Sequence, residues 1–204
     1  MTVTAIVLAG GKNRRLGRSK ALEVVGGKSL IERVVERLKT LTSQILIVTS
    51  EAQFDLPLAC KAEILVDIYP GKGPLGGIYT GLLASRSSHS IVVACDMPFL
   101  NTELLRYMVE LSANFDLVVP RVGNLAEPLH AIYTKSCLTP IESMIKQGKL
   151  SILDLFSLVK ARYLEAKEID RFDPKHLSFF NINTEADLEM ARKLARGEMS
   201  NDKC

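Results

Sequence analysis

Residues 8–21 read LAGGKNRRLGRSKA. Two adjacent glycines, Gly10 and Gly11, follow an apolar run. Five basic residues then fall within nine positions, 12–20, with no carboxylate among them. A backbone that turns on glycine can come close to a ligand, and N–H groups in such a turn can cradle phosphate oxygens. Arg14, Arg15, Arg18 and Lys20 add positive charge that a helix surface does not account for, because Gly17 interrupts the spacing. The pattern points to an anionic, phosphate-bearing ligand. It is not a P-loop, which requires GxxxxGK[ST]; here Gly17 is followed by Arg18 and Ser19 after the wrong interval.

Asp96, in ACDMPFL, carries the second chemical signal. An aspartate at the end of a fully apolar strand emerges at the edge of a sheet, and left unpaired there it is costly. It calls for an arginine, a lysine or a metal; a helix-capping role is the plainer alternative. Asp67 ends the apolar run AEILVD in the same way. Two such carboxylates facing a basic loop suggest a nucleoside triphosphate carried with magnesium, an ion that uses one or two carboxylates plus phosphates.

PGKGPLGG at 70–77 contains a literal GxGxxG at Gly71, Gly73 and Gly76, and Asp96 lies twenty residues beyond Gly76. That mimics a dinucleotide-binding motif. Tyr69 and Pro70 separate the strand from the first glycine, Pro74 removes an N–H inside the motif, and the preceding strand is not the first of the chain. The nicotinamide-dinucleotide oxidoreductase reading therefore ranks last. Among weaker features, Pro128 in AEPLHAIY favours an extended or turn conformation, so Glu127 is not mid-helix. Asn181 and Asn183 precede a helix cap. His89, His130 and His176 lack metal-ligand spacing, and Cys95 reads as a buried, inert thiol.

The elements that must position these residues alternate along the chain. TAIVLA (4–9), QILIVTS (44–50), AEILVD (62–67), SIVVACD (90–96) and DLVVP (116–120) read as strands. SLIERVVERLKTL (29–41) puts Ile31, Val34, Val35, Leu38 and Leu41 on one helical face behind a Ser29–Glu32 capping box. Further helices are expected from Gly77 to about Ser85 and from Thr102 to Leu111 with Asn101 as cap. Thr139-Pro140 opens another that Gly148 closes, SILDLFSLV is a short one, and a last runs from a Thr184–Asp187 capping box to about Arg196. HAIYT (130–134), ARYLEA and LSFFNI read as strands.

This alternation predicts an α/β fold, a Rossmann-like three-layer α/β/α arrangement with a mostly parallel central sheet. In such a sheet the ligand sits outside the carboxyl ends of the strands. The glycine turn, Asp67 and Asp96 are thus expected on one edge. No linker or repeat divides the 204 residues, so residues 1–204 are expected to form one domain, with a nucleotide-binding half over about 1–100 and an acceptor-binding half over about 101–197.

A net charge of +3 does not suggest a nucleic-acid-binding surface. No apolar stretch approaches the ~18 residues needed to span a membrane. Cys60, Cys95, Cys137 and Cys204 lack CxxC spacing, and free thiols with no export signal predict a cytoplasmic protein.

Taken together, the motifs resemble those of the molybdenum cofactor guanylyltransferases of the sugar-nucleotidyltransferase-like superfamily. LAGGKNRRLGRSKA is similar to that family's LAGGxSxRMGxxKA, GPLGGIYTGL (73–82) to its GPLxGIxxGL, and CDMPFL (95–100) to its CDxPFL. EPLHAIY and FFNINTEADL continue the resemblance in order across most of the chain. Asn13 stands where the family usually has serine, and Leu16 where it has methionine.

The resemblance implies transfer of GMP from GTP to molybdopterin-bound molybdenum cofactor, with pyrophosphate released. It implies that Leu8, Ala9 and Gly10 hold the guanine nucleotide through the backbone, that Lys20 touches its phosphates, that Asp67 lies near base or ribose, and that Asp96 binds Mg2+. Arg15, Lys20 and Asp96 are the expected catalytic residues. GTP and the molybdopterin cofactor are the expected partners, with transient contacts to cofactor-delivery proteins and molybdoenzymes. The alternatives are cytidylyl transfer to the same cofactor, a sugar- or polyol-phosphate nucleotidyltransferase, and a non-catalytic nucleotide- or cofactor-binding protein.

Overall fold

The computed structural model describes residues 2–10, 14–15, 18–50 and 61–198, and the side chains of Arg14, Arg15, Arg18 and Ser19 lie outside that description. The chain opens with β1 (Val3–Leu8), the antiparallel pair β2 (Arg14–Arg15) and β3 (Arg18–Ser19), and a short hairpin of β4 (Val24–Val25) and β5 (Lys28–Ser29). There follow α1 (Leu30–Leu38), β6 (Gln44–Thr49), β7 (Glu63–Val66), α2 (Pro74–Ala84), β8 (His89–Ala94) and α3 (Thr102–Leu111). The second half supplies β9 (Leu117–Val122), β10 (Leu125–Ala126), β11 (His130–Thr134), α4 (Leu138–Lys146), β12 (Ala161–Glu165), α5 (Ala166–Ile169) and α6 (Glu185–Ala195).

One eight-stranded sheet runs in the order β10-β9-β11-β8-β1-β6-β7, with β12 also paired to β9. β1 is parallel to β6 and β8, β6 to β7, and β12 to β9; β11 is antiparallel to β8 and β9. Every residue of β1 is buried, as a central parallel strand covered on both faces requires. One face packs Ile31, Val34, Val35 and Leu38 of α1 with Leu104, Leu105 and Met108 of α3. The other packs Leu75, Ile78 and Leu82 of α2 with Ile141, Met144 and Ile145 of α4. A third, smaller cluster joins Val25 and Leu30 to Ile182, Leu188 and Ala191 and seats α6. The result is the three-layer α/β/α arrangement that the alternation predicts.

The caps form as the side chains dictate. The Glu32 carboxylate accepts the Ser29 N–H at 2.7 Å and Ser29 Oγ accepts the Glu32 N–H at 3.4 Å. Asn101 accepts the Leu104 N–H at 2.9 Å, and Thr184 and Asp187 close a reciprocal box on α6.

Three expectations need correction. α2 begins at Pro74, not Gly77, because proline suits the first helical turn and Gly73, at φ 63°, makes the entry bend. α4 begins at Leu138 with Cys137 as cap, so Thr139 and Pro140 lie inside its first turn and do not open it. LSFFNI is not a strand: residues 177–179 form a single 3₁₀ turn. Asp173 holds it there by accepting the Leu177 N–H at 3.1 Å and the Ser178 N–H at 2.7 Å, which takes these amides away from any sheet ladder.

The glycines of GPLGGIYTGL let α2 lie close on the sheet. A Cβ on Gly77 would sit 3.0 Å from Leu8 Cδ2, and one on Gly81 would sit 2.5 Å from Ile6 Cγ2 in the buried core. Gly81→Ala gains helix propensity of about 1 kcal/mol. It also forces a core clash whose usual cost is about 1–3 kcal/mol or more. At 2.5 Å the clash outweighs the gain, and urea unfolding should show a net loss of stability; a more stable variant would contradict this packing.

Candidate active site

The chain runs outward from β1 to β6 and β7, then returns to β8 on the other side of β1. The strand order therefore reverses at β1, and in open α/β sheets the crevice beyond the carboxyl ends at such a point is where ligands bind. Leu8, Ala9 and Gly10 leave β1 there, Cys95 and Asp96 leave β8, and Asp67 follows β7. All three expected features share one edge of the sheet.

At the glycine turn the sheet claims some of the backbone. Ala9 N–H donates to Val48 C=O at 2.8 Å, and Leu8 C=O accepts the Cys95 N–H at 3.1 Å. The Gly10 N–H has no such backbone partner among the described residues, and Gly10 is exposed at this edge. Arg15 has its backbone in β2, but the side chain on which its expected role depends lies outside the described residues, as do Gly11, Asn13 and Leu16.

Lys20 and Asp96, 76 residues apart in sequence, meet beyond β8. Lys20 Nζ lies 2.7 Å from Asp96 Oδ2 and also donates to Asn183 Oδ1 at 2.8 Å. Their side chains are 12% and 19% exposed, so the pair is largely but not wholly withdrawn from water. Asp96 Oδ1 is buried with no hydrogen-bond partner. A carboxylate with one oxygen on a lysine and the other unsatisfied is an incomplete arrangement. It is also what a hard cation needs from the protein, and the residues therefore fit a divalent metal. Among the described residues no cluster of three or more His, Cys, Asp or Glu could enclose a metal, so most ligands of an ion at Asp96 would come from phosphate and water, as is usual for magnesium.

Asp67 and Asp96 stand at the ends of β7 and β8, three strands apart, or about 14 Å by sheet spacing. That separation leaves Asp96 without Asp67 as a partner on the same ion. Asp67 Oδ1 accepts the Tyr69 N–H at 2.9 Å and the Thr80 hydroxyl at 3.1 Å, and its Oδ2 would lie 2.8 Å from a Cβ on Gly76. Part of Asp67's work is thus to tie β7 to α2. The GxGxxG stretch is also accounted for: Gly76 lies inside α2 against Asp67, and the stretch follows an outer strand, not the point where the strand order reverses.

Asn183 is a residue of this site that the sequence does not single out, since it and Asn181 both precede a helix cap. Its place is set by the segment from Ser178 to Thr184. Ile182 N–H donates to Asp96 C=O at 3.1 Å, and the Asn183 and Thr184 amides donate to Asp187. At the other end Ser178 Oγ accepts the Asn101 N–H at 2.8 Å and lies 2.6 Å from His130 Nε2. Ser178 and His130 are both fully buried, and Asp173 spends its oxygens on backbone amides, not on His130. This is a structural clamp, not a nucleophilic triad, since no substrate reaches it. Cys95 is partly buried, and desolvation, with the Asp96 charge adding to it, pushes its thiol up to about 12, which keeps it protonated.

The clamp makes stability depend on pH. Burial pushes His130 down to about 4, against about 6.5 in the unfolded chain. Between those values the unfolded state binds more protons. Stability is therefore full above pH 6.5 and is lost as pH falls towards 4, by about 3 kcal/mol. Glu127, whose carboxyl burial pushes up, acts in the opposite direction. The test compares urea unfolding of wild type and His130→Gln at pH 7 and 4.5: the variant should lose less on acidification, and an equal loss would contradict the assignment.

Cationic and carboxylate groups converging where the strand order reverses belong to the nucleotide-binding α/β enzymes. Comparison with known proteins narrows that class. Residues 5–162 match the model of the MobA-like NTP transferase domain. A protein of Pelotomaculum thermopropionicum named "probable molybdenum cofactor guanylyltransferase" is 37% identical over 195 residues, covering 96% of this chain and 94% of that one. The crystal structure of molybdopterin-guanine dinucleotide biosynthesis protein A from Archaeoglobus fulgidus superposes with a TM-score of 0.80 at 29% identity, covering 95% and 99%. At 17% identity, 2-C-methyl-D-erythritol 4-phosphate cytidylyltransferase from Thermus thermophilus shares the fold, with a TM-score of 0.72 and 96% and 100% coverage.

The chain belongs to the MobA-like NTP transferase family and is an enzyme of the nucleotidyltransferase kind. The oxidoreductase and non-catalytic readings fall with that finding. Among the described residues no helix is long and apolar enough to cross a membrane.

Proposed function

We propose that this enzyme transfers GMP from GTP to the molybdopterin form of the molybdenum cofactor, yielding the guanine dinucleotide cofactor and pyrophosphate. The observation that carries the reading is the Lys20–Asp96 pair with its unsatisfied Oδ1, set beside the glycine turn. The names of the relatives supply guanine and the acceptor.

An oxygen of the acceptor's terminal phosphate forms a bond to the α-phosphorus of GTP. The bond from that phosphorus to the β-phosphate oxygen breaks, and pyrophosphate leaves with the electron pair. The nucleophile is already an anion, so no general base is required, which agrees with a His–Ser pair sealed in the core. Catalysis then rests on positioning and on neutralising phosphate charge.

In this reading Gly10 offers its N–H at the turn, Lys20 donates to phosphate oxygens, and Asn183 orients Lys20. Asp96 would hold Mg2+, which when bound supplies Lewis-acid polarisation of phosphate oxygens. Arg15 would meet the leaving pyrophosphate, and Asp67 the base or ribose. Residues up to about 100 would serve the nucleotide and those from about 101 to 197 the acceptor, within one domain. Transient contacts with cofactor-delivery proteins and molybdoenzymes would follow from that role, as would a place in the cytoplasm.

Thermal unfolding with magnesium and GTP, CTP, ATP or UTP tests the nucleotide. Ligand at ~100 times Kd adds roughly 2.7 kcal/mol. A shift selective for GTP and dependent on magnesium is expected. A shift selective for CTP would replace guanylyl with cytidylyl transfer.

A further inference from the structure

Glu127 stands in the turn before β11 with its backbone held on both sides. Its N–H donates to Pro120 C=O at 2.9 Å, and its C=O accepts the His130 N–H at 3.0 Å. Pro128 follows, and its carbonyl accepts the buried Tyr133 hydroxyl at 2.9 Å. Leu129 C=O accepts the Ala94 N–H at 3.0 Å, which joins this turn to the end of β8 two residues before Asp96. Glu127 is therefore fixed at the ligand edge of the sheet, on the side of β8 away from β1.

Its carboxylate is half-buried and has no hydrogen-bond or ion-pair partner among the described residues. Desolvation alone pushes its pKa up, with no neighbouring charge or donor to offset it. Two described cations of this region are committed elsewhere. Arg121, whose backbone pairs with Ala126, points its guanidinium at Glu165 and lies over the Tyr163 ring. Lys20 is shared between Asp96 and Asn183. A half-buried carboxylate without a partner lowers stability, and one held so firmly in a polyanion-handling site cannot be there to meet phosphate. It is suited to N–H donors, two of which a carboxylate can accept in one plane.

We propose that Glu127 is an acceptor-binding residue, its carboxylate accepting paired N–H groups from the amino-pyrimidinone edge of a pterin-type acceptor. The inference rests on the nucleotidyltransferase reading above. Guanine carries the same edge, but Gly10 and Asp67 lie on the β1–β6–β7 side of β8, and Glu127 lies on the other. The location favours the acceptor.

Steady-state pyrophosphate release with molybdopterin tests this on wild type, Glu127→Gln and Glu127→Ala, with GTP and with inosine triphosphate, which lacks the amino group. Loss of a charge-assisted pair should raise the acceptor KM about 10- to 100-fold, with kcat and the GTP KM within about twofold of wild type. Glu127→Gln should unfold at the same temperature as wild type or higher, because it removes a desolvated charge; a purely structural role would lower it.

Three results on an active wild type would overturn the inference alone. These are an unchanged acceptor KM, a reduced preference for GTP over inosine triphosphate at unchanged acceptor KM, or a rise only in the magnesium needed for half-maximal rate. A wild-type enzyme releasing no pyrophosphate from any nucleotide would overturn the reading of the site, and this inference with it.

Discussion

Asp96→Asn is expected to reduce kcat by about 10²–10³-fold or more, the scale on which single preorganised electrostatic groups act. The substitution keeps the shape of the side chain and leaves an oxygen for Lys20, so the contact survives as a hydrogen bond from the ammonium to a neutral acceptor. It removes the negative charge from the buried Oδ1, the atom that the folded chain leaves without a partner. With Asp96 as the proposed cation ligand, the magnesium concentration at half-maximal rate should rise as well. Circular dichroism and urea unfolding would show the fold intact, because the backbone bond from Ile182 N–H to Asp96 C=O does not involve the side chain. Wild-type turnover in this variant would remove Asp96 from the chemistry.

Lys20→Ala acts on two quantities at once. A charge-assisted hydrogen bond to phosphate contributes about 1.5–3 kcal/mol, so the Kd for GTP should rise about 10- to 150-fold. Stability should fall as well, since the substitution strips the lysine from Asp96. Breaking a fully buried ion pair costs about 3–5 kcal/mol. At 12% and 19% exposure water can reach the orphaned carboxylate, so the cost should lie below that range. Adding Asp96→Asn to Lys20→Ala should restore stability without restoring nucleotide affinity. Calorimetric titration with GTP and urea unfolding separate the two effects, and unchanged affinity in Lys20→Ala would take it out of the phosphate site.

The distinction between what was legible in the sequence and what was not follows the range of the interactions. Caps are local: Ser29 with Glu32 and Thr184 with Asp187 announce their helices within four residues, and both form as read. The apolar runs of β1, β6 and β8 are equally local, and parallel pairing then places Gly10 and Asp96 on one edge. The Lys20–Asp96–Asn183 contact spans the chain, and no local pattern records it. NINT carries more polar groups than one helix cap uses, which marks the stretch but does not name the lysine that Asn183 meets.

The error over LSFFNI has the same origin. Its composition suits a strand, but Asp173, five residues before Ser178, takes the amides a ladder would need. Gly76 belongs to the GxGxxG stretch that mimics a dinucleotide-binding motif, and Gly77 and Gly81 follow it. Close approach to Asp67, Leu8 and Ile6 explains them, and that proximity exists only once α2 is laid on the sheet.

The central claim is guanylyl transfer to molybdopterin. Its most direct test is pyrophosphate release by the purified protein with magnesium and each of GTP, CTP, ATP and UTP, in the presence and absence of molybdopterin. Product mass should be determined in the same reaction. The account predicts release with GTP only when molybdopterin is present, and a product heavier than molybdopterin by one GMP less water. Release from CTP in preference to GTP, or from GTP at the same rate without the acceptor, would contradict it.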